Sequence, residues 1–395
     1  MTDLDMHWVE GREALEPCLD AWWALAERCG ADIYMSPGWL LSWWDHFGAG
    51  HRLLCLMAEA PDGHLAGILP FMIETVWAGP VPVRVARLAG TDPHCVLFRL
   101  AVEETLLPPM MNRALADLLC DKGADLVSFT PASERGPLVD VVRAALPPDI
   151  LLIDRPAGTH TVFDLPDSFD AYLAGLSKKR RGQFRRDLRK LQADHGLQTA
   201  LTHPGAAQID DFISFHNRQW QKTGKGGHFC DWPGSAAFYR DLAERLQSEG
   251  SVWIDHQDGS AGPLAAQFGL VSGQSCHWRL PARATEPEFD RLSVGTVGLI
   301  LMIERLIGVG VTRIEAGGGA YDYKLVYGGE SVLVHRMIIT RPGRAQRKTA
   351  VLMAWARALH LGYYRAWFCR AAPRLRRWLP LPHWPLWKSW IKSRV

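Results

Sequence analysis

The chain of 395 residues has eight cysteines, and no two of them form a C-x-x-C pair. Cys18, Cys29, Cys55, Cys95, Cys120, Cys230, Cys276 and Cys369 are scattered, which excludes a structural zinc ribbon and a dense disulfide framework. That pattern implies no disulfide partner and a reducing compartment. No stretch reaches the roughly eighteen uncharged apolar residues that a membrane-crossing helix needs. The opening residues carry acids and no apolar run, so the expectation is a cytoplasmic chain without a secretory signal. Several catalytic signatures are also missing: G-x-S-x-G, H-E-x-x-H, G-x-x-x-x-G-K-[ST], and a G-x-G-x-x-G placed after a strand. His228 and Cys230 are spaced like metal ligands, but no second pair completes a site, so no metal is expected. His160 and Asp164 are spaced H-x-x-x-D along a predicted strand, with nothing further to support them. Acid is absent from one whole region. Residues 341–395 hold thirteen Lys or Arg and no Asp or Glu, so the rest of the chain is near −11 although the total is +2.

What is present reads as a globular α/β protein. Hydrophobic residues make up 48% and charged residues 22%, and the length implies two domains plus an appendage. Leu53–Glu59 and Leu65–Glu74 flank the turn Ala60-Pro-Asp-Gly63, the clearest hairpin signal. Met110–Lys122 has helical periodicity and the strand-like Asp125–Thr130 follows. Pro147–Gly158, rich in Pro and Asp, reads as an interdomain crossing. Thr161–Leu165 reads as a short strand. Ser177 is placed to cap a helix running to His195, with Phe184, Leu188 and Leu191 as its apolar stripe. Two further helices are expected over Ile209–Thr223 and Ala236–Ser248. Val252–His256, Leu264–Val271 and Ser275–Leu280 form a meander, then come the helix Val297–Gly308 and strands Thr312–Glu315 and Val332–Ile339. Few strands alternate with helices, so the expected core is a splayed, mixed sheet (α+β in character) rather than a doubly wound sheet or a (β/α)₈ barrel.

Four constellations carry possible chemistry. Asp290-Arg-Leu-Ser-Val-Gly-Thr296 runs straight into an apolar helix. A helix N-terminus offers free N–H groups and partial positive charge, which suits a phosphate. Gly295 would let a ligand approach the backbone, and Ser293 would cap the helix; an ordinary capped helix has the same pattern. Ser177–Lys190 has eight basic residues against one acid, which implies an anionic partner or else a solvated face. Gly317-Gly-Gly-Ala-Tyr-Asp-Tyr-Lys324 turns tightly and at once presents an aromatic–lysine cluster. Lys324 there could hold an anion or polarise a carbonyl, and Tyr321 or Tyr323 could relay a proton. In Cys276-His-Trp-Arg279, alternation puts His277 and Arg279 on one face of a strand and Cys276 and Trp278 on the other. That makes His277 the candidate general base, although a lone histidine on a strand also serves structure.

These residues, in this order, resemble the GNAT-like branch that contains FemAB-type peptidyltransferases and CelD-type envelope proteins. The resemblance rests on Leu176-Ser-Lys-Lys-Arg-Arg181, Arg218-Gln-Trp220, Arg291-Leu-Ser-Val-Gly295 and Tyr323-Lys-Leu-Val-Tyr-Gly328. It covers about 160–340 well and the first half more weakly, through Met35-Ser-Pro-Gly-Trp39 and Gly67-Ile-Leu-Pro70. It implies tandem GNAT-like lobes, 1–158 and a catalytic 159–340, followed by the tail 341–395. It also implies transfer of an acyl group from acyl-CoA, a co-substrate rather than a resident cofactor, to an amine. The donor's pyrophosphate maps onto Arg291, Ser293, Val294, Gly295 and Thr296, with Arg180 and Arg181 alongside. One glycine at altered spacing departs from the usual Q/R-x-x-G-x-G/A. Lys324 maps to the active-site end, with His277, Arg279, Tyr321 and Tyr323 as the other candidate catalytic groups.

The tail points to a location. On a helical projection Val351, Leu352, Trp355, Leu359, Tyr363 and Trp367 share one broad face, with Arg347, Arg357 and Arg365 opposite. Trp378–Lys392 then mixes tryptophan, proline and lysine as an interfacial anchor does. A tail packed on the acidic remainder of the chain would have the same composition. The anchor reading gives a protein peripheral on the inner face of an anionic membrane, with a lipid-like amine acceptor such as a sphingoid base, as in bacterial ceramide synthases. The alternatives are an amino sugar of an envelope polysaccharide, a tRNA-dependent FemAB-like aminoacyltransferase, or a non-catalytic nucleic-acid or membrane binder.

Overall fold

The computed structural model describes residues 5–91, 95–222, 227–231, 234–375, 378 and 386–395. Along the chain run β1 (Asp5–Glu10), α1 (Leu19–Cys29), α2 (Pro37–Phe47), β2 (Arg52–Glu59), β3 (Leu65–Ala78), β4 (Val81–Leu88), α3 (Leu107–Cys120), β5 (Leu126–Ser133), α4 (Leu138–Ala144) and β6 (Leu151–Asp164). Then follow α5 (Phe169–Gly175), α6 (Lys178–His195), β7 (Gln198–Thr202), α7 (Ala206–Gln221), α8 (His228–Asp231), α9 (Ser235–Arg245), β8 (Val252–Gly259), β9 (Gly262–Ser272), β10 (Ser275–Arg283), α10 (Pro287–Arg291) and α11 (Val294–Gly308). The chain closes with β11 (Arg313–Gly318), α12 (Asp322–Leu325), β12 (Glu330–Thr340), α13 (Arg344–Ala358), α14 (Ala372–Leu375) and α15 (Trp387–Ser393).

Two compact units result. Met1–Gly158 with Leu333–Val395 form the first, and Thr159–Val332 form the second. Sequence reasoning set 341–395 apart as a tail, but its described residues belong to the first unit. Pro147–Gly158, expected as an interdomain crossing, ends where the first unit gives way to the second, and Leu151–Gly158 belong to the 14-residue strand β6.

Each unit repeats one grammar. In the first, β1, β2, β3 and β4 are antiparallel neighbours, β4 and β5 are parallel, and β5 is antiparallel to β12. In the second, β7, β8, β9 and β10 are antiparallel, β10 and β11 are parallel, and β11 is antiparallel to β6. The last strand of each unit therefore comes from outside the run of its neighbours. The Ala60–Gly63 turn closes β2 onto β3 as its sequence requires, with Gly63 at φ +83° and its N–H bonded to the Ala60 carbonyl.

The second unit's core lies between its sheet and α11. Val297, Leu299, Ile300, Met302, Ile303 and Leu306 cover Trp253, Leu264, Cys276 and Trp278. α11 is apolar almost all round because it is covered on most sides. α6 is the reverse: Phe184 and Leu191 face the core, and Lys178, Lys179, Arg185, Arg186, Arg189 and Lys190 are exposed. Ser177 caps it, its Oγ accepting from the Arg180 N–H at 3.3 Å.

Candidate active site

The parallel pair β10 and β11 decides where a site can form. They pair over Ser275–His277 with Arg313–Glu315, and then they part. Trp278–Arg283 continue along β9 through an irregularity at Arg279, while Gly318 turns to pair with His160 on β6. Lys324 stands at this opening. Its Nζ donates to the Ala316 carbonyl, one residue past the end of the paired stretch. The ammonium lies 5.4 Å from the Trp278 ring, 5.3 Å from Tyr321 and 5.9 Å from Tyr323. Burial pulls its pKa down to about 8, against the raising influence of the Glu315 carboxylate. Tyr321 and Tyr323 are exposed and stacked on each other at 6.1 Å, and burial pushes the Tyr323 phenol up to about 12.

The Gly317–Gly319 turn is fastened from several sides. Glu315 Oε1 accepts from His160 Nδ1 at 3.0 Å and from the Gly317 N–H at 2.9 Å. The Gly319 N–H donates to the Thr159 carbonyl at 2.7 Å, and Thr161 Oγ1 donates to the Gly319 carbonyl at 2.9 Å. Gly317 and Gly319 adopt φ +75° and +92°, conformations that glycine reaches without strain.

The loop before α11 is built differently from the expectation. Ser293 has φ +49° and its side chain does not cap the helix; its carbonyl instead accepts from the N–H groups of Thr296 and Val297. Its Oγ accepts from Gln183 Nε2 at 3.3 Å, and Gln183 Oε1 in turn accepts from Arg180 at 3.4 Å. Gln183, which no sequence motif marked, thereby ties Arg180 on α6 to Ser293. Arg180 also lies over the Tyr327 ring at 5.7 Å. Arg181 is engaged elsewhere, its Nη1 donating to the carbonyls of Leu173, Ala174 and Leu176 at the end of α5. Gly295 is close under Arg283, since a Cβ there would sit 2.9 Å from Arg283 Cδ. Arg283 bonds Asp290 and the Ala284 carbonyl. Val294 is buried in the core, Thr296 is half-buried and Arg291 is exposed.

His277 and Arg279 have surroundings of their own. Trp278 joins the core under α11, so strand alternation turns His277 to the other face of β10. It is fully buried, and burial, with Arg313 and Arg279, pushes its imidazole down to about 3. Arg279 reaches Tyr239 on α9 at 3.3 Å. The expected general base is therefore closed off from solvent, on the face of β10 opposite Trp278. Among the described residues no cluster of three or more His, Cys, Asp or Glu could hold a metal, and Cys230's side chain lies outside the described residues.

Residues 178–325 match the family described as acetyltransferase (GNAT) domain. The matched residues lie within the second unit. Among solved structures, FemX superposes with a TM-score of 0.60 at 9% identity, over 81% of this chain and 95% of that one. L-PGS from Bacillus licheniformis gives 0.50 at 13%, over 85% and 95%. A conserved protein of unknown function from Bacteroides thetaiotaomicron gives 0.50 at 12%, over 82% and 97%. At these identities the likeness is one of fold. No curated protein matches the chain.

Proposed function

We propose that the second unit N-acylates a primary amine, taking the acyl group from a thioester donor, acyl-CoA, at the opening between β10 and β11. The reading is carried by the Lys324 ammonium, fixed by the Ala316 carbonyl among three aromatic rings where the two strands part. The neutral amine attacks the thioester carbonyl, a C–N bond forms and the C–S bond breaks. The ammonium of Lys324 stabilises the oxyanion between those steps, and a preorganised cation in a water-poor site is worth far more there than in bulk water. Tyr321 and Tyr323, exposed beside it, pass the amine's proton toward solvent and the leaving thiolate. Ser293, Gly295 and Thr296, with Arg180, Gln183 and Arg283 around them, form the seat for the donor's pyrophosphate. His277 has no part in the proton transfer, because it is buried on the far face of β10.

For the acceptor we favour a lipid-like amine such as a sphingoid base, met at an anionic membrane surface. Support comes from the C-terminal region, where Trp378 is 84% exposed and Leu361, Leu375 and Leu386 are exposed too, and Arg357, Arg365, Arg370 and Arg374 are exposed as well. Among the described residues no helix is long and apolar enough to cross a membrane, so contact would be peripheral. A second reading, aminoacyl transfer from a tRNA, is favoured by the six exposed cations along α6. The test is release of free CoA from palmitoyl-CoA with and without a long-chain primary amine, beside transfer from aminoacyl-tRNA. Amine-dependent CoA release supports the first reading. Transfer only from aminoacyl-tRNA supports the second.

A further inference from the structure

From the fastened turn we infer that Glu315, held by His160, is a positioning residue for Lys324: one carboxylate both shapes the turn that presents the lysine and supplies the negative charge that faces it. The inference rests on the reading of Lys324 just given. The links within the turn are contacts, and the link from Glu315 to the ammonium is one of charge. His160 and Glu315 are both buried, at 0% and 3% exposure, and bond at 3.0 Å. The same Glu315 oxygen takes the Gly317 N–H at 2.9 Å, which fixes the start of the glycine turn. The intervening residue, Ala316, offers the carbonyl that receives Lys324 Nζ. On the other side, the Lys324 carbonyl accepts from the Gly329 N–H at 3.0 Å, so the lysine's own backbone is also pinned.

The groups around Nζ are Glu315 from β11, the Trp278 ring from β10, and Tyr321 and Tyr323 from the lysine's own segment. The carboxylate among them is Glu315, and its influence on the lysine opposes that of burial. A buried ammonium without such a charge gives up its proton at lower pH. An uncharged amide of the same shape would keep Oε1 as acceptor for His160 and Gly317, so the turn would stand and only the charge would go.

The experiment reads the lysine directly. The full-length chain is labelled with acetic anhydride across a pH series, and acetylation of the Lys324 peptide is followed by mass spectrometry, with the pH profile of kcat/KM measured beside it. Glu315→Gln is expected to move the labelling midpoint of Lys324 down by about one pH unit, a roughly fivefold faster labelling at pH 7. Glu315→Asp draws the carboxylate back by one methylene, so its midpoint is expected between the other two; it also serves should Glu315→Gln not fold. Midpoints equal to wild type in the folded variants would overturn the inference whatever the activity. Shifted midpoints together with full turnover by Lys324→Met would uphold the pairing and refute the catalytic role of the lysine instead.

Discussion

Burial takes hydration from the Lys324 ammonium, and the rings of Trp278, Tyr321 and Tyr323 return part of it through their π faces. A lysine with its pKa near 8 stays mainly charged at neutral pH and loses that charge just above it. If the charged form stabilises the oxyanion, kcat/KM falls as pH rises through about 8, and a pH–rate profile of the wild type checks this. Lys324→Met is expected to cost about 10²–10³ in kcat, in line with the loss of one oxyanion-stabilising donor. His277→Gln is expected to leave the shape of that profile unchanged, since His277 lies on the opposite face of β10. At this scale the clustering of Lys324 with Tyr321 and Tyr323 was legible because glycines, aromatics and a lysine are adjacent in the chain. His277 was misplaced because alternation tells which residues share a face and not which face meets the helix. Glu315 and His160 gave no signal together, being 155 positions apart.

α11 lies close to its sheet because Gly298 has no side chain. A Cβ at Gly298 would come 2.6 Å from Gln257 Oε1 and 2.9 Å from Gln267 Nε2, and Gln267 Oε1 accepts from Trp278 Nε1 at 3.0 Å. Gly298→Leu is therefore expected to destabilise the second unit by about 1–3 kcal/mol and to disturb the ring over which Lys324 lies. Chemical denaturation of the variant, with its pH–rate profile, checks both. The helices and the β8–β10 meander were readable from period and turn residues. The first half of β6 was not, because it carries Asp154 and Pro156 and is largely half-buried or exposed, so it shows little apolar alternation. Nor did Ser293 behave as its type suggests: its left-handed backbone turns the hydroxyl to Gln183 instead of the helix end.

Across the first unit, the segregated charge of residues 341–395 was visible in composition, while its cover was not. The apolar face expected to meet a membrane turns largely inward. Leu352, Leu359 and Tyr363 are buried, Trp355 packs against them, and Val351 alone of the six stays clearly exposed. Tyr364 stacks on Trp390 at 4.2 Å, and Val395 is buried beside Val76, Val83 and Val85. Buried Glu74 joins Arg87 at 3.1 Å, Lys392 at 2.9 Å and His51 at 3.4 Å. Burial alone would raise the carboxyl, but those partners outweigh it and hold it at about 2. A depressed carboxylate stabilises the fold above its unfolded pKa and loses that contribution as pH falls toward the folded value. The first unit should thus weaken between about pH 4.5 and 2, which a pH series of thermal melts checks. Removing 387–395 strips Lys392 from Glu74 and uncovers the apolar sheet face, so a lower Tm is expected at neutral pH too. Residues 379–385, including Trp384 of the expected anchor, lie outside the described residues. Flotation with anionic liposomes, compared between wild type and Trp378→Ser, tests the remaining exposed surface; unchanged flotation would remove Trp378 from it.

The central claim is amine-dependent acyl transfer at Lys324, and the most direct test is free-CoA release from palmitoyl-CoA by wild type and Lys324→Met, with and without a long-chain primary amine. The expected result is release that requires the amine and drops at least a hundredfold in the variant. Release that ignores the amine, or an unchanged rate in Lys324→Met, would contradict it.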